Sequence, residues 1–241
     1  MLHALTQAQT ESIKKISVPS SQLSDEEIIQ SIKDGDIDAY GSIMRRYNQR
    51  VYRIARSIVT DDAAAMDIVQ EAHIKAYTKL NDFRGETGFF AWLAAITRNE
   101  ALMYIRKHKR EVSMQDDEMQ FFENSNTDRV TSASNKLPDT LIERNQIQSL
   151  INKNIDKLPE KFRTVFVLRA IEQLSVRETA QVLDINEVTV KTRYFRAKRL
   201  LRSQIQGCLD SIGMKVYEFG GHHCDIIVHN VINHIHNKSQ K

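Results

Sequence analysis

A run of cationic side chains in the second half of the chain has the chemistry to bind phosphate. Between Lys191 and Arg199 five of nine residues are basic, and Tyr194 and Phe195 lie among them. The whole chain carries a net charge of only +3, so the signal is the local clustering and not the total. Lys and Arg pair with phosphate oxygens, and Arg also hydrogen-bonds to base edges. The run predicts a nucleic-acid-binding helix, against the alternative of a solvated basic face on a helical bundle.

The residues before this run predict how it is positioned. Ser175 and Glu178 have the spacing of a capping box, in which each side chain bonds to the backbone N–H of the other residue. Asp184 to Asn186 form a turn, and Asn186 is a favourable N-cap for the basic helix. A short helix, a three-residue turn and a longer basic helix are typical of a helix-turn-helix, although this turn lacks the glycine that many such motifs have. The motif would place the N-terminal half of the basic helix in a major groove.

The rest of the chain also carries helical signals. Ser24 followed by Glu27 predicts a capped helix start, and apolar residues recur at helical spacing after it. The further predictions are a break at residues 33–36, a helix start at Asp61-Asp62, a loop with two glycines at 81–88, a helix over 89–109, and a later helix with Pro159 at its first position.

Residues 111–140 differ from the segments on either side. They contain seven acidic residues against two basic ones and have weak apolar periodicity. Such a composition is typical of a flexible linker. The sequence therefore predicts an all-α fold, with two helical domains joined by a flexible acidic linker. The predicted boundaries are a flexible N-terminal extension at 1–23, a first domain at 24–110, the linker at 111–145, a second domain at 146–206 and a C-terminal extension at 207–241.

The chain shows no sequence feature of an exported or membrane-inserted protein. Its N-terminus lacks the apolar stretch of a signal peptide, and no run approaches the ~18 apolar residues of a membrane span. Cys208 and Cys224 are too few for a disulfide framework. These observations predict a cytoplasmic protein without membrane insertion.

Three segments in two blocks carry a resemblance to a known family. They are DAAAMDIVQEAHIKAYTKL, FRGETGFFAWLAAITRNEALMYIRKHKR and LPEKFRTVFVLRAIEQLSVRETAQVLDINEVTVKTRYFRAKRLL. The first resembles region 2.2 of the bacterial extracytoplasmic-function (ECF) sigma factors, the second resembles regions 2.3 and 2.4, and the third resembles region 4. The resemblance covers residues 24–110 and 146–206. Two independent blocks in the family's order are more specific than a helix-turn-helix alone.

The resemblance implies a non-enzymatic subunit that binds core RNA polymerase and directs promoter-specific transcription initiation. Region 2 would melt and recognise the −10 element, region 4 would recognise the −35 element, and the linker would thread through the polymerase toward its active-site cleft. The resemblance also implies control of a stress or extracytoplasmic response, an anti-sigma factor as a partner, and no cofactor.

The resemblance further assigns roles to residues of both blocks. Four residues on one face of the region 2.2 helix are expected to contact the polymerase: Asp67, Gln70, Glu71 and Ile74. An exposed polar face with one core isoleucine is the alternative. The expected contacts to the −10 element are Phe83, Arg84, Gly85, Arg98, Asn99, Tyr104, Arg106, Lys107, Lys109 and Arg110. The expected contacts to the −35 element are Glu187, Thr189, Lys191, Thr192, Arg193, Arg196, Lys198 and Arg199. Trp92 is expected to pack in the core.

The C-terminal extension contains Cys224 and five histidines, which raises the hypothesis of a metal site. In a helix from Asp225 onward, no two of these histidines would lie at i and i+4, the spacing that places two ligands on one side. A single apolar stripe is formed instead by Cys224, Ile227, Val228, Val231 and Ile235. The pattern favours a helix that packs on region 4 or on a partner. No metal site is predicted, and a metal-sensing or redox-regulated tail is the alternative.

Two other functions compete with a sigma factor. A stand-alone helix-turn-helix regulator that dimerises on palindromes would leave the first block unexplained, and no dimerisation heptad is present in the sequence. An enzyme, for instance a metal-dependent hydrolase, would need a phosphate loop, an HExxH motif or a nucleophile arrangement, and the sequence has none. Dependence on polymerase separates the first alternative from a sigma factor, and a metal assay separates the second.

Overall fold

The computed structural model describes residues 23–85, 88–115, 149, 151–204 and 221–239, with residues 110–115, 203, 204 and 239 described by their helical backbone alone. Within these ranges the regular elements are all helices, so the predicted all-α fold is confirmed. Most of the predicted acidic linker and N-terminal extension lie outside the described residues.

The first domain consists of four α-helices and two short 3-10 turns. The helices are α1 (Asp25–Lys33), α2 (Tyr40–Ile58), α3 (Asp62–Thr78) and α4 (Phe89–Gln115), with 3-10 turns at Ile37–Ala39 and Leu80–Asp82. The predicted capping box is present at the start of α1, because the Ser24 hydroxyl accepts from Glu27 N–H and the Glu27 carboxylate accepts from Ser24 N–H. The predicted break follows α1, where Gly35 adopts a φ of +106° that other residues rarely reach.

The last helix of this domain is longer than the sequence pattern predicts. It was expected to end at residue 109, but α4 continues to Gln115. The first five residues assigned to the linker are therefore helical. They contain no glycine or proline to stop the helix, so acidity and weak periodicity were misleading as signs of its end.

The second domain contains the predicted helix-turn-helix. Residues 151–156 are helical, and α5 (Glu160–Phe166) continues into a π-helical turn at Val167–Ile171. Then come α6 (Val176–Leu183) and α7 (Glu187–Gln204). Pro159 occupies the N-cap of α5, one position before the predicted one. Its missing N–H costs nothing there, because the first turn of a helix has unpaired donors in any case.

The turn between α6 and α7 explains how the motif manages without glycine. Asp184 ends α6 in the left-handed conformation, with φ 50° and ψ 52°. Asp tolerates this conformation better than most residues because its short polar side chain can bond locally. The predicted capping box of Ser175 and Glu178 starts α6, and the Asn186 side chain accepts from Thr189 N–H at 2.7 Å to start α7.

The C-terminal extension forms a further helix, α8 (His222–Ser239). Its apolar stripe is buried as the pattern predicts, but the burying surface is neither region 4 nor a partner, the two that were expected. The helix packs against α2, α3 and the 3-10 turn at Ile37–Ala39, all in the first domain. An apolar stripe predicts that one side of a helix is buried, but it does not indicate which surface buries it. That surface depends on the path of the chain in the folded protein.

The two domains lie against each other. α5 packs on α2, and α6 packs on α4. The buried guanidinium of Arg163 donates to the backbone oxygen of Ser57 at 2.6 Å, and Arg56 donates twice to Asp156 at 3.0 Å. Burial disfavours the charge of Arg56, but hydrogen bonds and attraction from Asp156 and Asp62 outweigh that effect and raise its pKa. Polar contacts therefore join the domains beside a shared apolar core.

Candidate nucleic-acid interface

The basic residues of α7 lie on its solvent side. Val190, Ala197 and Leu201 are buried against the rest of the second domain, which fixes the rotation of the helix. Lys191, Thr192, Arg196, Lys198 and Arg199 are exposed, while Thr189 and Arg193 are partly buried. Glu187 is exposed in the first turn. All eight residues predicted to contact the −35 element thus belong to one helix, and its buried ridge leaves the cations available to an anionic partner.

The sequence pattern assigned no role to two apolar side chains of α7, Val188 and Phe195. Val188 is 71% exposed and Phe195 is 64% exposed, which is unusual for large hydrophobic residues. Val188 lines an open groove of about 220 Å³ between α5 and α7, together with Phe162, Thr189, Arg193 and Arg196. Apolar side chains on a recognition helix can contact the methyl group of thymine. The buried ridge of α7 needs only Val190, Ala197 and Leu201. The additional apolar residues Val188 and Phe195 were therefore a sign in the sequence that some apolar side chains face solvent or a partner.

Aromatic contacts hold the middle of α7. Tyr194 lies 6.4 Å from Phe166 between ring centroids, and Lys198 Nζ lies 4.7 Å from the Tyr194 ring centroid. The Arg169 guanidinium lies 5.8 Å from the same ring. Cations over an aromatic face are attracted by the negative potential of the ring. These contacts hold Lys198 toward the surface of α7 that carries the other cations.

The candidate −10 residues on α4 are mostly polar or basic and are spread along the helix between residues 98 and 110. Arg98 donates to Asn99 at 3.3 Å, and the Asn99 side chain is exposed. Tyr104 is partly buried and stacks on His108 with ring centroids 4.2 Å apart. Arg106, Lys107 and Lys109 are exposed, and Arg110 is described by its backbone alone. The helix brings these groups together over several turns.

The candidate −10 residues in the loop before α4 include one packed aromatic residue and two exposed residues. The Phe83 ring packs on Phe89 and Trp92, with centroids 5.4 Å and 5.3 Å away. Trp92 belongs to the residues packed against the core, as expected. Arg84 and Gly85 are exposed, and Gly85 has a φ of +76°. The polar part of the loop is free to meet a base or phosphate, while Phe83 is engaged in an aromatic cluster.

The four candidate polymerase contacts lie along one side of α3. Asp67 and Glu71 are exposed. Gln70 is partly buried because its side-chain oxygen accepts from Asn230 of α8 at 3.3 Å. Ile74 is partly buried against the core. The side is therefore acidic and accessible at two positions, and it borders α8 at a third.

Two parts of the chain match the sequence models of known families. Residues 43–111 match sigma-70 region 2, and residues 149–201 match sigma-70 region 4. The ECF RNA polymerase sigma factor SigW of Bacillus subtilis is 34% identical over 178 residues, which cover 74% of this chain and 95% of that relative. The chain belongs to the ECF RNA polymerase sigma factors. It is therefore a member of a non-enzymatic family of transcription initiation factors.

Other similarities agree with this membership. The sigma factor is 31% identical to the ECF sigma-E factor of Escherichia coli over 189 residues, covering 78% of this chain and 97% of the relative. Among solved structures, it is similar to the sigma factor RpoE in complex with the anti-sigma factor NepR from Bartonella quintana. That match has a TM-score of 0.50 and 25% identity, and it covers 66% of this chain and 91% of that one.

The candidate residues of the sigma factor fall inside the two matched ranges, and α8 at 222–239 falls outside both. None of the helices described combines the length and apolarity that would cross a bilayer. In the described part of the chain, no three His, Cys, Asp or Glu side chains come together in a way that could hold a metal ion. The histidines of α8 are spread along the helix, and His229 and His236 bond instead to Asn233 and Asp38.

Proposed function

We propose that this sigma factor directs core RNA polymerase to promoters by placing α7 in the major groove of the −35 element. The observation that carries the proposal is the exposed row of Lys191, Arg196, Lys198 and Arg199 opposite a buried ridge. Arg193 and Arg196 also line the groove beside Val188, near the start of the helix. Recognition helices contact base edges with their N-terminal residues, and phosphate contacts fix the register.

The −10 element is recognised by the first domain. Arg84 and Gly85 form the exposed part of the loop that captures an unstacked base, and Asn99 is the candidate for reading a base edge. The cations near the end of α4 contact phosphates. The proposed regions at 24–110 and 146–206 thus divide the promoter between them, with the segment at 111–145 connecting them.

The acidic side of α3 docks on the polymerase. Asp67 and Glu71 offer carboxylates to a basic helical partner. Ile74, which is partly buried against the core, offers the same partner an apolar contact. An anti-sigma factor is a further partner, which the complex of the Bartonella quintana sigma factor supports by similarity. The protein acts in the cytoplasm and serves a stress or extracytoplasmic response.

Run-off transcription tests this function. Purified bacterial core polymerase transcribes a genomic promoter library with and without the sigma factor. We expect discrete start sites that require both components, and their shared upstream motifs identify the −35 and −10 elements. Sequence-specific DNA binding without any polymerase-dependent product would contradict the proposal and favour a stand-alone regulator.

The docking residues are tested by the double substitution Asp67→Ala with Glu71→Ala. It should lower the affinity for core polymerase and leave the DNA binding of the second domain intact. Glu26→Ala, an exposed acid on α1 of the same domain, is the matched control and should change neither. Equal loss of both activities would show that the two carboxylates support the fold and do not dock the polymerase.

A further inference from the structure

The C-terminal helix α8 lies beside the proposed polymerase-docking side of α3. We propose that α8 is an internal cover that competes with core polymerase for this part of the first domain. The inference rests on the proposed function, because it uses Asp67, Gln70, Glu71 and Ile74 as the docking side. It assigns a role to a segment that lies outside both ranges matching the sigma-70 regions.

The apolar stripe of α8 is buried against the first domain and fixes the position of the helix there; this is called its seated position. Val231 is fully buried, and Ile227 and Ile235 are each 3% exposed. Val228 lies over Gly41 of α2, where a methyl group on the glycine would come within 3.8 Å of Val228 Cγ1. Burying these apolar side chains removes them from water, which stabilises the contact. The helix therefore has a defined position on α2 and α3.

Polar contacts run the length of the same interface. The Asn48 amide donates to Cys224 Sγ at 3.0 Å, and Arg45 pairs with Asp225 at 2.6 Å. At the other end, His236 Nε2 lies 3.1 Å from an Asp38 carboxylate oxygen. Residues 224 and 236 are about 18 Å apart along a helix. Because the Arg45–Asp225 ion pair and the His236–Asp38 contact are exposed, they select the register of α8 more than they add to its stability.

The contact between Asn230 and Gln70 places α8 against the docking side itself. Asn230 donates to the Gln70 side chain at 3.3 Å, so one of the four proposed docking groups already has a partner. Asp67 and Glu71 lie within one turn of Gln70 and are exposed. A helix with its side chains is about 10 Å across, so a partner that engaged all four residues would meet α8. Docking and the seated position of α8 therefore exclude each other.

The chain length permits α8 to leave without dissociating from the protein. Sixteen residues, 205–220, separate the last residue of α7 from Gly221. A chain of that length can span up to about 55 Å when extended. Return of the tethered helix is an intramolecular event, so its competition with polymerase is set by the strength of the seated contact.

Release of α8 in the full-length protein tests the cover. Val231→Glu buries a carboxylate in the interface and should unseat the helix. Ile226→Glu is the matched control, because Ile226 is a 42% exposed residue of the same helix. We expect Val231→Glu to bind core polymerase at least about fivefold more tightly than the wild type, and Ile226→Glu to bind as the wild type does. Hydrogen exchange of α8 reports whether it has left, and equal affinity of a protein with a released α8 would overturn the inference.

A reversible lock gives a second, independent result. Asn48→Cys, combined with Cys208→Ser, places a thiol next to Cys224, where the Asn48 amide now lies 3.0 Å from the sulfur. Oxidised glutathione converts the two thiols into a disulfide and is itself reduced to two molecules of glutathione. The oxidised form should bind polymerase at least about fivefold more weakly than the same protein after reduction. Equal binding of the two forms would overturn the cover alone, whereas absence of polymerase binding by every form would overturn the proposed function as well.

Discussion

Glu172 of the second domain accepts a hydrogen bond from Arg50 Nε of the first domain at 2.7 Å, and its other carboxylate oxygen accepts from Arg53 Nη1 at 3.1 Å. The Glu172 side chain is only 2% exposed. Arg50 also donates to the Glu172 backbone oxygen and lies over the Phe90 ring. One buried carboxylate thus joins two arginines of α2 to the π-helical turn, and it holds the two domains together.

Glu172→Gln should loosen the two domains. The substitution removes the charge that compensates two partly buried arginines, which is expected to cost on the order of 2–4 kcal/mol of the free energy holding the domains together. The radius of gyration from small-angle X-ray scattering should increase. Glu160→Gln, an exposed acid of the same domain, is the control. An unchanged radius together with unchanged unfolding would show that Glu172 is not what joins the domains.

Asp184→Gly should stabilise the second domain. Asp184 occupies the left-handed region at φ 50°, which costs an L-residue about 1 kcal/mol and glycine almost nothing. Because glycine is also more flexible in the unfolded chain, which offsets about 0.4–1 kcal/mol of this difference, we expect a net gain of at most about 0.5 kcal/mol in the free energy of unfolding. Asp184→Val should lower it, because a β-branched residue fits this region poorly. Urea unfolding of the wild type and the two variants measures their order of stability. A valine variant as stable as the glycine variant would contradict the expectation.

His73 should make the first domain sensitive to acid. The ring is fully buried in α3, with Nδ1 3.2 Å from the Tyr40 hydroxyl, and burial lowers its pKa to about 3. The fold holds the ring neutral, whereas the unfolded chain takes up a proton near the ordinary histidine pKa of 6.5. This contribution to stability is complete above pH 6.5 and is lost as the pH falls from there toward 3, with about 2 kcal/mol lost between pH 7 and pH 5.

His73→Phe provides the comparison, because it keeps an aromatic ring at this position and cannot titrate. The free energy of unfolding of the wild type should fall more between pH 7 and pH 5 than that of the variant, by about 2 kcal/mol. Urea unfolding at the two pH values measures both. Parallel pH profiles would show that the ring is already accessible to protons in the folded state.

Arg193→Ala and Arg196→Ala should each weaken promoter binding by the polymerase-bound sigma factor by roughly 1–3 kcal/mol if the side chains contact bases. The loss should be confined to promoters with an intact −35 element. Arg202→Ala, an exposed arginine near the end of α7, is the control for general charge effects. Fluorescence anisotropy on DNA with an intact or a scrambled −35 element distinguishes a loss of base recognition from a general loss of charge. A loss of equal size on both sequences would reduce the role of Arg193 and Arg196 to phosphate contact.

The sequence predicted the ends of some helices correctly and not those of others. The starts of α1, α6 and α7 were predictable because the caps are made by residues within three positions of each other, as at Ser24 and Ser175. The end of α4 was not, because acidic residues without glycine or proline neither require nor prevent a further helical turn. The exposure of Phe195 was not predicted in either direction, because its place among cations does not determine which side of the helix it occupies.

The sequence by itself determined the helical class, the caps and the basic face of α7, because each depends on residues close together in the chain. Its two blocks also carried the resemblance that the relatives bear out. Only the tertiary structure decided that α8 lies on the first domain, that Glu172 meets Arg50, and that His73 is held neutral. These depend on contacts between residues far apart in sequence and on exclusion of water from their surroundings. An apolar or charged side chain indicates that it needs a partner, and the fold determines which partner it meets.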